Sequence, residues 1–289
     1  MNRNQTDLKV NRADGKLAMA HFYVAFIALA LGGFAGLLQV LVRSGKYTLP
    51  AGITYYQVLT VHGVLLGLIL TTFFIMGFQF AAISKTSGTL SKKARTVGWI
   101  GFWMMTIGTA MSATMILLNE ASVLYTFYAP LQAHPIFYFG LVFVVVGSWL
   151  DGGAMVAAYI NWRKQNKGKV GPLLSFMVII NNVLWFTATL GVAATVLVQI
   201  IPWSLGWVDS INVLISRTLF WYFGHPLVYF WLLPAYMVWY VVIPKVIGGK
   251  IFSDSLARLS FILFLLFSVP VGFHHQLTEP GIDPAWKFL

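Results

Sequence analysis

The chain contains no cysteine, and only eight of its 289 residues are acidic. Without cysteine there can be no disulfide, iron-sulfur cluster or thiolate metal site, so a bound transition metal must rely on histidine, carboxylate or phenol. Charge of any kind is scarce at 9% of residues, yet the formal net charge is +11. Such a basic balance can mark a nucleic-acid partner, but here the lysines and arginines sit in short segments between apolar runs rather than along one face. That distribution serves membrane orientation, and no nucleic-acid partner is expected. No secretory signal is expected either, because the first sixteen residues are polar and the first apolar run is long enough to span.

What the chain does have is apolar surface. Hydrophobic residues make up 58%, the mean hydropathy is +0.78, and there are 11 Trp, 12 Tyr and 23 Phe. A water-soluble domain could not bury that much, so the composition predicts an integral membrane protein. Seven segments reach spanning length, at 17–42, 56–84, 97–118, 135–161, 172–201, 213–244 and 255–276. With no internal repeat, low-complexity run or linker, the expected fold is all-α: a polytopic bundle of seven transmembrane helices forming a single membrane domain over 1–289.

Loop charges orient the bundle. Arg3, Lys9, Arg12 and Lys16 precede the first span, and Arg43 and Lys46 follow it. Lys85, Lys92, Lys93 and Arg95 follow the second span, and Arg163, Lys164, Lys167 and Lys169 follow the fourth, whereas the loops after the third and fifth carry none. Lys245 and Lys250 follow the sixth span and only Lys287 the last. This alternation places the N-terminus in the cytoplasm and the C-terminus outside. Arg217 and Arg258, at span ends, are expected to snorkel.

Polar groups inside the spans are few. Ionisable side chains at the centre of a membrane helix cost about 2.5 kcal/mol or more, so each calls for a partner or a task. His62 lies roughly 9 Å in from the outer end of the second span at helical rise. His225 enters the sixth span from the same side, and His274 and His275 end a span that runs outward. All four therefore fall in the outer half of the membrane. Three converging imidazoles, His225, His274 and His275, suit copper, or zinc if no redox chemistry is required. The adjacent pair diverges by about 100° on a regular helix, so both can reach one ion only if the helix end is irregular, and Pro270 supplies a cause.

Tyr229 lies four residues after His225 and shares its helix face. Tyr236 and Tyr240 continue that face inward, so a phenol stripe about 16 Å long from Tyr229 to Tyr240 could carry protons when bridged by water. The alternative is that these rings simply fill the helix surface, with Tyr240 in the interfacial aromatic belt. His62 has Gly63 and Gly67 beside it, small enough to admit a flat macrocycle and so to suggest an axial haem ligand. Glycine packing against a neighbouring helix explains the same spacing. His21 and His134, at span ends, read as interfacial polar groups. Asp151 is an intramembrane acid without an evident partner.

Two motifs are specific enough to carry a family resemblance. Gly224-His225-Pro226-Leu227-Val228-Tyr229, within the stretch from Thr218 to Asp254, and Val271-Gly272-Phe273-His274-His275-Gln276, continuing to Pro284, resemble subunit I of the haem-copper terminal oxidases, the B-type branch in particular. Tyr55-Tyr56-Gln57 before His62, Leu118-Asn119-Glu120-Ala121 and Leu124-Tyr125-Thr126-Phe127-Tyr128 agree with it, and the resemblance covers nearly the whole chain.

The resemblance implies a terminal respiratory oxidase, cytochrome c oxidase, that reduces dioxygen to water at a haem/copper centre and translocates protons. His225, His274 and His275 would hold the copper called CuB. Tyr229 would be covalently joined to His225 and act as the catalytic phenol. His62 would bind the low-spin haem iron, Tyr236 and Tyr240 would line the proton channel, and Trp221 would pack against the copper ligands. Leu227 stands where A-type oxidases carry a glutamate. The cofactors would be low-spin and high-spin haem and copper. The partners would be oxidase subunit II, a C-terminal remainder of subunit I, membrane lipid, and cytochrome c as electron donor, with quinol as the alternative. The location would be the prokaryotic plasma membrane.

The family's subunit has about twelve or more spans, with further haem ligands on a later helix. The resemblance thus implies that this chain is the N-terminal portion of subunit I and inactive alone. The rival readings are a nitric oxide reductase-like protein and a non-enzymatic seven-helix membrane protein. Tyr229 argues against the first. The lack of lysine in 255–276 argues against a retinal protein.

Overall fold

A computed structural model describes residues 10–288, leaving Arg3 and Lys9 of the N-terminal charge group outside the described residues. The described chain is helical, without strands, and seven helices are long and apolar enough to cross a membrane. They are α1 (Arg12–Arg43), α2 (Tyr55–Thr86), α3 (Lys92–Leu117), α4 (Pro135–Gln165), α5 (Leu173–Ser204), α6 (Val213–Val246) and α7 (Asp254–Gln276).

Each expected span is present, and most extend beyond the apolar run because capping residues lie outside it. Asn11 accepts from the Ala13 amide and starts α1 at Arg12 rather than at 17. Thr54 and Gln57 form a reciprocal capping box at α2. Ser91 caps α3, which therefore begins at Lys92 rather than at 97. His134 caps α4, with Pro135 in the first turn, so its place at a span end agrees with the expectation.

The early start of α1 matters because it moves His21 inward. His21 lies about two and a half turns inside the helix and is wholly buried, as is Asp151. Its Nε2 is 2.9 Å from Asp151 Oδ2, and its Nδ1 is 2.9 Å from the Leu17 carbonyl. His21 is thus no interfacial group, and Asp151 does have a partner. Nearer the start of α1, Asp14 accepts from Arg95 Nε, Ser84 Oγ and the Leu90 amide at 2.7, 2.7 and 3.0 Å. This cluster ties α1 to the end of α2 and the start of α3.

Packing is closest between α3 and α4, where small residues face each other. A methyl group at Gly108 would lie 2.4 Å from the Gly140 carbonyl, and one at Gly140 would lie 2.3 Å from Ser112 Oγ. Backbones this close require glycine on both helices. Gly108→Val is expected to destabilise the fold by about 1–3 kcal/mol, read as a lower unfolding temperature in detergent; an unchanged temperature would contradict the described seam. On the other side of the bundle, α5 and α6 pack together and α7 lies against both. Pro234 cannot donate to the Phe230 carbonyl. Asn181 Nδ2 of α5, 3.4 Å away, donates to that carbonyl instead.

Candidate metal centre

Helix α7 does not end as a regular helix. Pro270 is followed by a 3-10 turn over Gly272–Gln276, the irregularity the adjacent histidines require. The turn lies against α6 because residue 272 has no side chain: a methyl there would be 2.8 Å from the Trp221 carbonyl and 3.1 Å from His225 Cβ. Gln276, almost fully buried, donates to Thr218 Oγ1 at 2.9 Å and pins the turn to α6. Beyond it, Arg217 reaches both Glu279 carboxylate oxygens at 3.0 Å and lies over the Tyr128 ring at 5.0 Å, so it is paired rather than merely snorkelling. Burial raises the Tyr128 phenol well above its ordinary value, although the Arg217 charge pulls the other way, so it remains a neutral hydroxyl. Arg258 is similarly engaged, with Asp254 and the Gly171 carbonyl.

This turn brings the three predicted imidazoles together. His225 Nδ1 and His275 Nε2 are 3.2 Å apart, and one ligand atom from each of His225, His274 and His275 can be chosen so that all lie within 4.8 Å of one another. Imidazole nitrogens about 2.0 Å from a shared tetrahedral ion stand about 3.3 Å apart, so the His225–His275 spacing already fits and His274 needs only a small adjustment. The ring orientations are supported from behind. Trp221 stacks on His275 with centroids 3.8 Å apart and planes 5° from parallel, and His274 Nδ1 bonds the Val271 carbonyl, leaving Nε2 for a metal. His225 Nε2 is buried without a partner. The donor set, all imidazole with no acid or thiolate, fits a copper ion. Gln276 and Gly272 were not singled out from the sequence, although both flank the histidine pair there. Gln276→Ala should weaken copper binding by about 10–100-fold, measured by competition with a copper chelator; unchanged affinity would contradict the pinning role.

Tyr229 presents its ring to His225 edge-on, with centroids 4.9 Å apart. The phenol stripe is present but not continuous. Phe264 of α7 stands between Tyr229 and Tyr236 at 5.5 Å from each, whereas Tyr236 and Tyr240 are neighbours at 5.8 Å. A groove of about 350 Å³ beside Tyr229 is lined also by Ser260, Leu263, Phe264, Phe267 and Ser268. Leu227 is buried.

His62 lies on α2, just before a π-helical stretch at Val64–Leu70. Its Nδ1 is 2.9 Å from the Gly32 carbonyl, and a methyl at Gly36 would lie 2.8 Å from the ring. Room for the imidazole therefore comes from α1. Gly63 instead packs on Tyr125, where a methyl would lie 3.0 Å from Tyr125 Cβ, and Gly67 faces the same ring. The glycines beside His62 serve packing, and the small residues that position the ring, Gly32 and Gly36, lie on α1. With Nδ1 donating to a carbonyl, Nε2 remains as the ligand atom an axial haem histidine offers.

Comparisons with known proteins place the chain in a family. The profile of the family described as Cytochrome C and Quinol oxidase polypeptide I matches residues 16–289. Cytochrome c oxidase subunit 1 of Thermus thermophilus is 41% identical over 282 residues, covering 95% of this chain and 50% of the relative. Cytochrome c oxidase subunit 1 of Bacillus subtilis is 24% identical over 91% of this chain and 46% of its own length. Among solved structures, a haem-copper terminal oxidase dimer determined by cryo-EM superposes with a TM-score of 0.91 at 44% identity, covering 96% of this chain and 48% of that one. The chain spans about half the length of these relatives. Its seven apolar helices and its matches make it a multi-pass membrane protein, and the chain belongs to the cytochrome c and quinol oxidase polypeptide I family, the subunit I of haem-copper oxidases.

Proposed function

We propose that this chain supplies the copper side of the oxygen-reducing centre and one low-spin haem ligand of a proton-translocating terminal oxidase. The observation that carries the reading is the convergence of His225, His274 and His275 from two helices, with Tyr229 against His225. Haem and copper supply electron delivery to dioxygen when bound. The chain's own residues do the rest. His225, through Nδ1, and His274 and His275, through Nε2, would hold the copper, and Trp221 and the Val271 carbonyl keep the His275 and His274 rings in orientation. His225 Nε2, which has no other partner, is the atom available for the link to Tyr229. The Tyr229 phenol would supply a proton and an electron to the reduction of dioxygen there, and would be reprotonated from the inner side along Tyr236 and Tyr240. Because Phe264 interrupts the stripe, the path would need water to bridge that gap, and the groove lined by Ser260 and Ser268 has room for it. His62 offers Nε2 to the low-spin haem.

In this reading residues 1–289 are one membrane domain with a cytoplasmic N-terminus, and Leu227 in place of an acid assigns the chain to the B-type branch, with a single proton channel. The remaining haem ligands come from the half of subunit I that the relatives have beyond the match, and subunit II brings electrons from cytochrome c. Purification with that second half supplied as a separate polypeptide tests the proposal: copper and both haems should be present together, and a fully formed assembly lacking copper would refute it.

A further inference from the structure

The pair His21–Asp151 lies apart from the metal centre, and nothing proposed above uses it. Among the described residues Asp151 has a single hydrogen-bonding contact, His21 Nε2 at 2.9 Å, while its Oδ1 is buried without a donor. Around His21 stand the rings of Phe73, Phe80 and Phe102, with centroids 5.8, 5.5 and 5.1 Å away. Both residues are 0% exposed. Asp14 of the same bundle shows what an ionised buried carboxylate looks like here: three donors, one of them a guanidinium. Asp151 has none of that support, and burying two full charges among aromatic rings costs more than a single contact returns.

His21 narrows the protonation state further. Its Nδ1 faces the Leu17 carbonyl, which can only accept, so Nδ1 carries a hydrogen. In a neutral imidazole Nε2 is then an acceptor, and among the described residues the only group that can donate to it is a protonated Asp151 Oδ2. We infer that Asp151 is held as a neutral carboxylic acid donating to His21 Nε2, making the pair a site that stores one proton inside the membrane domain, away from the copper end. The proton can cross from Oδ2 to Nε2 and return without changing the net charge of the pair, and Oδ1, as the carbonyl of an acid, tolerates its missing donor better than a carboxylate oxygen would. The site thus binds a proton as its ligand, and this holds whether or not the oxidase reading is right.

Infrared spectroscopy of the membrane-embedded protein at neutral pH, with aspartate carboxyls labelled with carbon-13, tests this. One carboxylic-acid carbonyl band that moves with the label is expected, lost in Asp151→Asn and shifted when His21→Phe removes the acceptor. Asp14 and Asp254 are paired with arginines and Asp209 and Asp283 are exposed, so none of these should contribute, and an Asp7→Asn variant, which should keep the band, controls for the one remaining aspartate. A wild-type protein with no label-sensitive acid band, or an Asp151→Asn protein that keeps it, overturns the inference. Should the variants fail to fold, nitrogen-15 histidine spectra of the wild type decide: a buried histidine protonated on Nδ1 alone supports it, and a buried imidazole protonated on both nitrogens refutes it.

Discussion

Replacing His275 by leucine should lower copper from about one per chain to near zero in the assembled oxidase and abolish oxygen reduction. Leucine matches the ring in bulk but offers no ligand. Two neutral imidazoles then remain where three converged, and His225 and His274 sit on different helices with nothing else among the described residues to close the set. Loss of a mere supporting contact typically costs about 10–100-fold in metal affinity, so deleting a direct ligand should exceed that. The fold should survive, because His275 is exposed on one side and its stacking partner Trp221 belongs to α6, which α5 and α7 hold independently. Haem bound through His62, far along the chain and on another helix, should be retained. Copper assay together with haem absorption separates the two outcomes, and loss of both would indicate misfolding rather than loss of a ligand.

The second large effect belongs to the phenol. Tyr229→Phe keeps the ring against His225 and Phe264 and removes only the hydroxyl, so copper should stay at about one per chain. A group that moves a proton in the rate-limiting chemistry contributes about 10²–10⁴ in rate, and loss of oxygen reduction on that scale is expected. Full oxygen reduction in a copper-loaded Tyr229→Phe oxidase would remove Tyr229 from the chemistry. The Tyr236→Phe variant should act differently, slowing proton uptake without altering copper. Tyr236 lies beyond Phe264 from the metal centre, so it can affect only the supply of protons.

These expectations draw on features that differ in how plainly the sequence shows them. The seven helices were legible because each must satisfy its own backbone within lipid, so apolar length alone reveals it. Their ends were less so, since Asn11 and Ser91 cap helices several residues outside the apolar runs. That shift is why His21 reads as a span-end histidine in the sequence and stands buried in the fold. Asp151 was legible as an intramembrane acid, but its partner lies 130 residues away on another helix, a separation no local pattern encodes. The histidine pair shows the opposite case: Pro270 announced an irregular helix end, and a 3-10 turn is found there.

Of the two readings of the glycines beside His62, packing is the one the contacts support, because a small residue reveals only that something approaches. What approaches is Tyr125, while the ring itself is accommodated by Gly32 and Gly36 of α1. The phenol stripe was correct in its angular spacing along one helix. Interruption by Phe264 depends on where α7 docks, and one helix's periodicity is silent about that.

X-ray absorption at the copper edge of the assembled oxidase addresses the central claim most directly. About one copper per chain is predicted, with three imidazole nitrogens near 2.0 Å, and the signal should vanish in a His225→Leu, His274→Leu, His275→Leu triple variant. Copper missing from the wild-type assembly, or the same spectrum persisting in the triple variant, would contradict the account.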